Sequence, residues 1–209
     1  KSEKELTFEI GSNSDLILEN SITGNLDWTI KEFAKSDRGY LTFPTKFDMV
    51  DSICKLEHNG RIIPRMSVNP EKIINQVEFG TSRLKERVIA INKLKSAGYK
   101  VGILIAPIVL VDNWKVLYED LIKKLSEELS EDVKKDAIFE LIFMTYSYVH
   151  DKINTDAFID APKIFDKEKM KARGKYKYGY KEKYLEEGKE YIKELLKVYF
   201  TENEIKYIV

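Results

Sequence analysis

Val101-Gly102-Ile103-Leu104-Ile105-Ala106-Pro107-Ile108-Val109-Leu110 is the stretch from which the rest of the chain can be read. It is almost wholly apolar and rich in β-branched residues, without polar alternation, so it predicts a strand buried on both faces, as in a helix-covered parallel sheet. The apolar run from Gly102 to Val111 is about half of what a membrane-spanning helix needs. On its N-terminal side, Leu84, Val88, Ile91 and Leu94 recur at helical spacing, with Thr81 as the expected N-cap and Gly98 as the stop. On its C-terminal side, Leu117, Leu121, Ile122 and Leu125 make a second amphipathic helix.

Working outward, the same alternation repeats. Leu6 to Ile10, Gly39 to Thr45, Arg61 to Val68 and Ala137 to Met144 read as further strands. Between them lie a polar loop from Gly11 to Asp15, a helix through Leu26, Ile30 and Phe33, a helix through Phe47, Val50, Ile53 and Cys54, and a helical stretch from Glu71 to Val77. The rhythm is that of βα units with a parallel, doubly covered sheet, whose ligands sit where strands end and loops begin. It breaks near residue 150. A Lys/Tyr-rich, Gly-punctuated tract from Lys163 to Tyr184 follows, then a helix near Lys189 to Phe200 and a strand from Ile205 to Val209. We therefore expect barrel-type βα structure over 1–150 and a C-terminal extension packed on it over 151–209.

Composition narrows the function. Of 209 residues 43% are apolar, enough for a core, and 35 basic residues cancel 35 acidic ones, so any contact with a polyanion must be local. The N-terminus lacks the apolar segment of a signal peptide, which predicts a cytoplasmic protein without a membrane partner. Lys1, a few residues before a strand, reads as a fragment boundary. The single cysteine, Cys54, excludes an internal disulfide and cannot by itself hold an iron–sulfur cluster, and His58 and His150 are too isolated to suggest a metal site. Cys54 shares a helix face with Val50 and Ile53 and reads as a structural thiol, while Trp28 and Trp114 read as core or lid residues.

Several short segments then fall into one familiar order: Phe8 to Asp15, Phe43-Pro44-Thr45-Lys46-Phe47, His58-Asn59-Gly60, Ser67-Val68-Asn69, Glu78-Phe79-Gly80-Thr81-Ser82-Arg83-Leu84-Lys85-Glu86-Arg87, Ala97-Gly98-Tyr99, Ile105-Ala106-Pro107-Ile108 and Phe139-Glu140-Leu141-Ile142. In this order the chain resembles the C-terminal part of the spore photoproduct lyase family of radical S-adenosylmethionine (SAM) proteins. The resemblance implies an α/β fold: the C-terminal part of a partial (β/α) barrel with parallel strands, plus a hairpin-like extension and a terminal helix and strand. It further implies reductive cleavage of SAM by a [4Fe-4S] cluster and reversal of a thymine lesion in DNA. The family's CxxxCxxC cluster loop is not in this sequence, so the cluster is expected only in a full-length protein, and a fragment alone is expected to be inactive.

Carried over residue by residue, the resemblance makes Ser14, Asp15, Lys46, Ser67 and Asn69 cofactor-binding candidates, and Ala106, Lys175 and Tyr176 substrate-binding candidates. Each has a plainer alternative. Ser14 or Asp15 simply caps a helix; Lys46 is a solvated charge; Ser67 and Asn69 shape a strand-to-helix turn; Ala106 ends a strand; Glu78 and Arg87 form a structural ion pair. The alternating cations and aromatics from Arg173 to Lys181 suit phosphate neutralisation beside base stacking, or else form a solvated hairpin. The chain also departs from the family. Ser12 occupies the place of the hydrogen-donor cysteine, and Phe143, Met144 and Thr145 stand where the family has His and Arg. A catalytically silent domain binding nucleic acid or a nucleotide remains the alternative, and a cluster-free barrel enzyme using Glu9 and Asp15 a third.

Overall fold

The structure is a computed structural model and describes residues 5–158, 162–200 and 203–209. The chain runs β1 (Thr7–Glu9), α1 (Leu16–Thr23), α2 (Asn25–Phe33), β2 (Tyr40–Thr45), β3 (Ile62–Val68), α3 (Glu71–Val77), α4 (Leu84–Ser96), β4 (Gly102–Ile108), α5 (Trp114–Glu128), α6 (Glu131–Asp136) and β5 (Ile138–Phe143). Then come β6 (Tyr146–Ser147), α7 (Tyr148–Ala157), β7 (Met170–Gly174), β8 (Lys177–Tyr180), α8 (Glu182–Tyr199) and β9 (Ile205–Ile208).

Six strands in the order β1-β2-β3-β4-β5-β9, every pair parallel, form one curled half-barrel sheet. Register explains which side chains meet. Met66 pairs with Ile103 and Ile103 with Phe139, while Val68 pairs with Ile105 and Ile105 with Leu141; all six are buried. Because neighbours in register share a face, these residues make the apolar face that the helices cover, each burial worth roughly 1.5–3 kcal/mol. The opposite parity puts Pro44, Arg65 and Gly102 in one row, and Ser67, Leu104 and Glu140 in the next. That face is polar, and it is where chemistry can be held.

Three expectations need correction. Between β2 and β3 there is no α-helix through Phe47 to Cys54, only a short 3-10 turn at Ile53–Lys55. Val50 and Ile53 are both fully buried, so their spacing of three reflects an irregular loop pressed on the core. Arg83, not Thr81, is the N-cap of α4; the Thr81 hydroxyl instead donates to the Glu78 carbonyl and accepts from Arg87 Nη2. Trp28 is 66% exposed and belongs to no core, whereas Trp114 packs edge-on against Tyr191 of α8.

The Lys/Tyr-rich tract forms the expected hairpin. β7 and β8 pair antiparallel and β6 joins on the far side of β8. Tyr146, Tyr148, Phe165 and Tyr178 close into an aromatic cluster with ring centroids 4.7–6.2 Å apart. The hairpin is tied to the end of β4: the Leu110 amide donates to the Tyr180 hydroxyl at 2.8 Å, and the Lys169 ammonium donates to the Leu110 carbonyl at 2.9 Å.

Candidate functional site

The carboxyl ends of the barrel strands open on a cleft of about 450 Å³. Ser12, Asn13 and Ser14 from the loop after β1, Lys46 after β2, Ser67 from β3 and Ala106 from β4 line it. Gly11 begins that loop in a left-handed conformation (φ 73°), and a Cβ there would strike Leu16 at 2.7 Å, so the turn demands glycine. Among the described residues, the side chains of Ser12, Asn13 and Ser14 make no hydrogen bond. Their hydroxyl and amide groups are free to face a ligand.

Asp15 has a different situation. Its carboxylate caps α1 by accepting from the amides of Ile17 and Leu18, and it also accepts from the Thr45 hydroxyl (2.8 Å) and the Lys46 amide (2.8 Å). This ties the first loop to the end of β2. Asp15 borders the cleft with its acceptor capacity already in use.

Lys46 enters the cleft from the other side. Its ammonium donates to Ser67 Oγ (3.1 Å), to the Ala106 carbonyl (3.1 Å) and to Glu78 Oε1 (2.5 Å), so all three protons are placed. Ser67 adds a 2.7 Å hydrogen bond to the same Ala106 carbonyl. Burial lowers the Lys46 pKa from its ordinary value, opposed by the Glu78 carboxylate.

Glu78 anchors the group. Its Oε1 also accepts from Asn69 Nδ2 (2.8 Å), and its Oε2 accepts from Arg87 Nη2 (2.7 Å). Arg87 is wholly buried and donates further to the carbonyls of Ser67 and Ser82 and to Thr81 Oγ1. Burial alone would raise the Glu78 pKa, but Lys46 and Arg87 outweigh it and the net direction is down. Asn69 is fully buried behind this network and accepts from the Tyr118 hydroxyl at 3.3 Å. It therefore reaches the cleft only through Glu78 and Lys46, unlike Ser67, which lines it.

Lys175 and Tyr176 lie elsewhere, at the tip of the β7–β8 hairpin. Tyr176 adopts φ 62°, is 59% exposed, and has the Lys175 ammonium 5.5 Å from its ring centroid. His58 and Cys54 are structural: His58 stacks on Tyr99 and bonds the Ala97 carbonyl, and Cys54 is half-buried with its thiol pKa pushed up, chiefly by burial. Among the described residues no group of His, Cys, Asp and Glu could hold a metal ion, and no helix is long and apolar enough to cross a membrane.

Sequence reasoning missed the layer beneath the cleft. Arg65 pairs with Glu140 at 2.9 Å and with Glu9 at 2.8 Å, and Glu140 also accepts from the Tyr207 hydroxyl (2.9 Å) and faces Lys206 (3.4 Å). These charges link β1, β3, β5 and β9 across the concave face. The signal was present: a lone charge inside Ile62-Ile63-Pro64-Arg65-Met66, and another inside Ile138-Phe139-Glu140-Leu141, each in an otherwise apolar strand.

A curled sheet of parallel strands with a polar cleft at its carboxyl ends defines a βα half-barrel of the ligand-binding kind. The family model described as "Spore photoproduct lyase" matches residues 1–209, and the chain belongs to the spore photoproduct lyase family. It is 32% identical over 204 residues to the spore photoproduct lyase of Bacillus subtilis (strain 168) and 31% identical over 204 residues to that of Geobacillus sp. (strain Y412MC61). Each match takes in 96% of this chain and 60% of the relative's length. Among solved structures, a spore photoproduct lyase complexed with dinucleoside spore photoproduct superposes with TM-score 0.93 at 28% identity, over 100% of this chain and 63% of that one. A double-mutant lyase with bound AdoMet and dinucleoside spore photoproduct gives the same figures.

Proposed function

We propose that this chain supplies the SAM-binding and lesion-binding face of a spore photoproduct lyase-like radical SAM enzyme acting on DNA, with residues 1–150 as the body of the barrel and 151–209 as an extension packed on it, whose last strand, β9, joins the barrel sheet beside β5. The observation that carries the reading is the convergence of Ser12, Asn13, Ser14, Lys46, Ser67 and the Ala106 carbonyl on one cleft. SAM carries a carboxylate, an ammonium and ribose hydroxyls, and the free hydroxyl and amide groups of the first loop, with the Lys46 ammonium opposite, match that chemistry. Asp15 and Asn69 hold the loop and the Lys46 network in position. The cluster does not fit this chain, since Cys54 is its single cysteine and three thiolates are needed; its ligands belong to a part of the enzyme outside these residues. SAM, when bound beside such a cluster, supplies the radical chemistry. Lys175 and Tyr176 offer the DNA a cation and an exposed ring.

Ser12 marks the departure. A serine O–H bond is much stronger than a thiol S–H bond, so Ser12 does not return a hydrogen atom to a thymine radical. Ser12→Cys is expected to raise the yield of repaired thymine in the complete enzyme. The primary test is calorimetric titration of SAM into the chain. Binding that weakens about tenfold in Lys46→Met and severalfold in Ser14→Ala supports the reading, and a wild-type chain that takes up no SAM ends it.

A further inference from the structure

A second cleft, of about 270 Å³, lies between the loop after α3 and the start of the extension. One wall is Gln76 and Phe79; the other is His150, Asp151, Asn154 and Phe158. Its lining runs close in sequence to the elements of the first cleft in two separate segments. Phe79 follows Glu78, which holds Lys46, and Thr145 stands three residues beyond Ile142, which lines the first cleft. From this juxtaposition we infer that the second cleft takes a single nucleobase of the DNA strand beside the lesion. The inference rests on the proposed action on DNA.

Four features support a base over other ligands. Phe79 and Phe158 stack on one another with centroids 5.4 Å apart, and each is about half exposed (50% and 51%), so each offers a ring face to a planar ligand. Among the described residues, the side chains of Gln76, His150 and Asn154 make no hydrogen bond, which leaves amide and imidazole groups of the kind that read base edges. The volume falls just below the roughly 300–1,000 Å³ of sites for drug-sized ligands, enough for one ring system and not for a whole nucleotide pair. Among the described residues the lining includes Asp151 and no Lys or Arg, which disfavours a phosphate.

The phosphates have their own partner close by. The Tyr148 amide donates to the Tyr176 carbonyl at 3.3 Å, and Ser147, in the cleft wall, pairs in register with Lys177. The tip carrying Lys175 and Tyr176 thus borders the base cleft. A strand crossing the tip would have its backbone beside cations and one base within reach of Phe79 and Phe158.

The experiment compares ligands that contain a flanking base with ligands that lack one. Binding of the chain to dinucleoside spore photoproduct, to an oligonucleotide carrying that lesion, and to a set with single abasic sites at each flanking position is measured by calorimetry and fluorescence anisotropy. Phe158→Ala and Asn154→Ala, both exposed and safe for folding, are measured beside the wild type. We expect Phe158→Ala to weaken the lesion oligonucleotide about tenfold, the size of one lost base–aromatic stack, with the dinucleoside unaffected. One abasic position should reproduce that loss in the wild type and add nothing further in the variant. An oligonucleotide that binds equally with and without its flanking bases, or a variant that weakens the abasic forms as much as the intact one, overturns the inference. Equal binding of damaged and undamaged strands would instead refute the lesion reading, and the base-against-abasic contrast on the undamaged strand would still decide the base cleft.

Discussion

Glu78 and Glu140 are both buried, and both take two cations, yet one group of charges opens on the cleft and the other does not. At the strand ends Glu78 holds Arg87 on its buried side and Lys46 on the side facing the cleft, where the lysine side chain keeps 31% exposure. In mid-sheet Glu140 holds Arg65, which is 5% exposed, with Tyr207 and Lys206 behind it. A lysine is a compact charge whose pKa moves with its surroundings, whereas an arginine stays charged and spans a fixed fork. The difference teaches a division of work: the arginine layer ties β1, β3, β5 and β9 together, and the lysine layer presents an adjustable cation to whatever enters above it.

The largest expected effect comes from breaking the first network. Arg87→Met leaves Glu78 buried with half its charge partners and strands two carbonyl acceptors and a threonine hydroxyl, and should lower stability by about 3–5 kcal/mol in urea unfolding. Arg65→Met should cost less. Glu140 keeps Tyr207 and Lys206, and Arg65 already carries an Nε without a partner among the described residues. Equal losses would mean that the two layers do not differ as described.

Gly102 sharpens the same contrast at a smaller scale. A Cβ at this position would lie 2.8 Å from Cγ of Arg65, in the row that carries the arginine across the sheet. Gly102→Ala should cost about 1–3 kcal/mol through overpacking. Thermal unfolding of Gly102→Ala, Arg65→Met and the double variant forms a cycle, and the two effects should be non-additive because the residues touch. Additivity would free Gly102 from any role in seating Arg65.

Such residues show what the sequence could and could not disclose. The strands were legible because β-branched apolar runs such as Ile103 to Ile108 need only their own composition to be recognised; each of the six barrel strands lies within one or two residues of its expected span. Helix α7 left no such trace, for it buries none of its residues and so carries no apolar stripe. The start of α8 was hidden by Gly188, which reads as a breaker but sits where a Cβ would meet the Phe143 ring at 2.6 Å. In the site, loop positions and strand-end polar residues were legible from order along the chain. That Asp15 would cap α1 is a local reading its loop offers, but that it would also bind Thr45 and Lys46, or that Asn69 would stand behind Glu78, depends on contacts 9 to 31 residues apart. No local pattern encodes these.

The smallest expected effect is on pH dependence, and it separates the two layers by chemistry alone. Glu78 titrates below its ordinary 4.5 in the folded chain, despite burial, because of Lys46 and Arg87. The unfolded chain then takes up the proton first, so this stabilisation is present above pH 4.5 and is lost as pH falls through the folded value. Lys46 titrates below its ordinary 10.5, chiefly through burial. Here the folded chain releases its proton earlier than the unfolded one, so stability rises with pH in the window beneath 10.5. The buried Tyr99 and Tyr118, whose pKa values burial pushes up, act in the opposite sense as pH passes 10. The comparison must therefore be between variants. Wild type should gain stability relative to Lys46→Met as pH climbs towards 10.5, by less than the ~1.4 kcal/mol per pH unit that one full proton allows. Arg65→Met should run parallel to wild type over that range, because an arginine does not titrate there. Urea midpoints of the three proteins across this range decide the matter: a slope that changes in Arg65→Met but not in Lys46→Met would reverse the assignment of the adjustable cation.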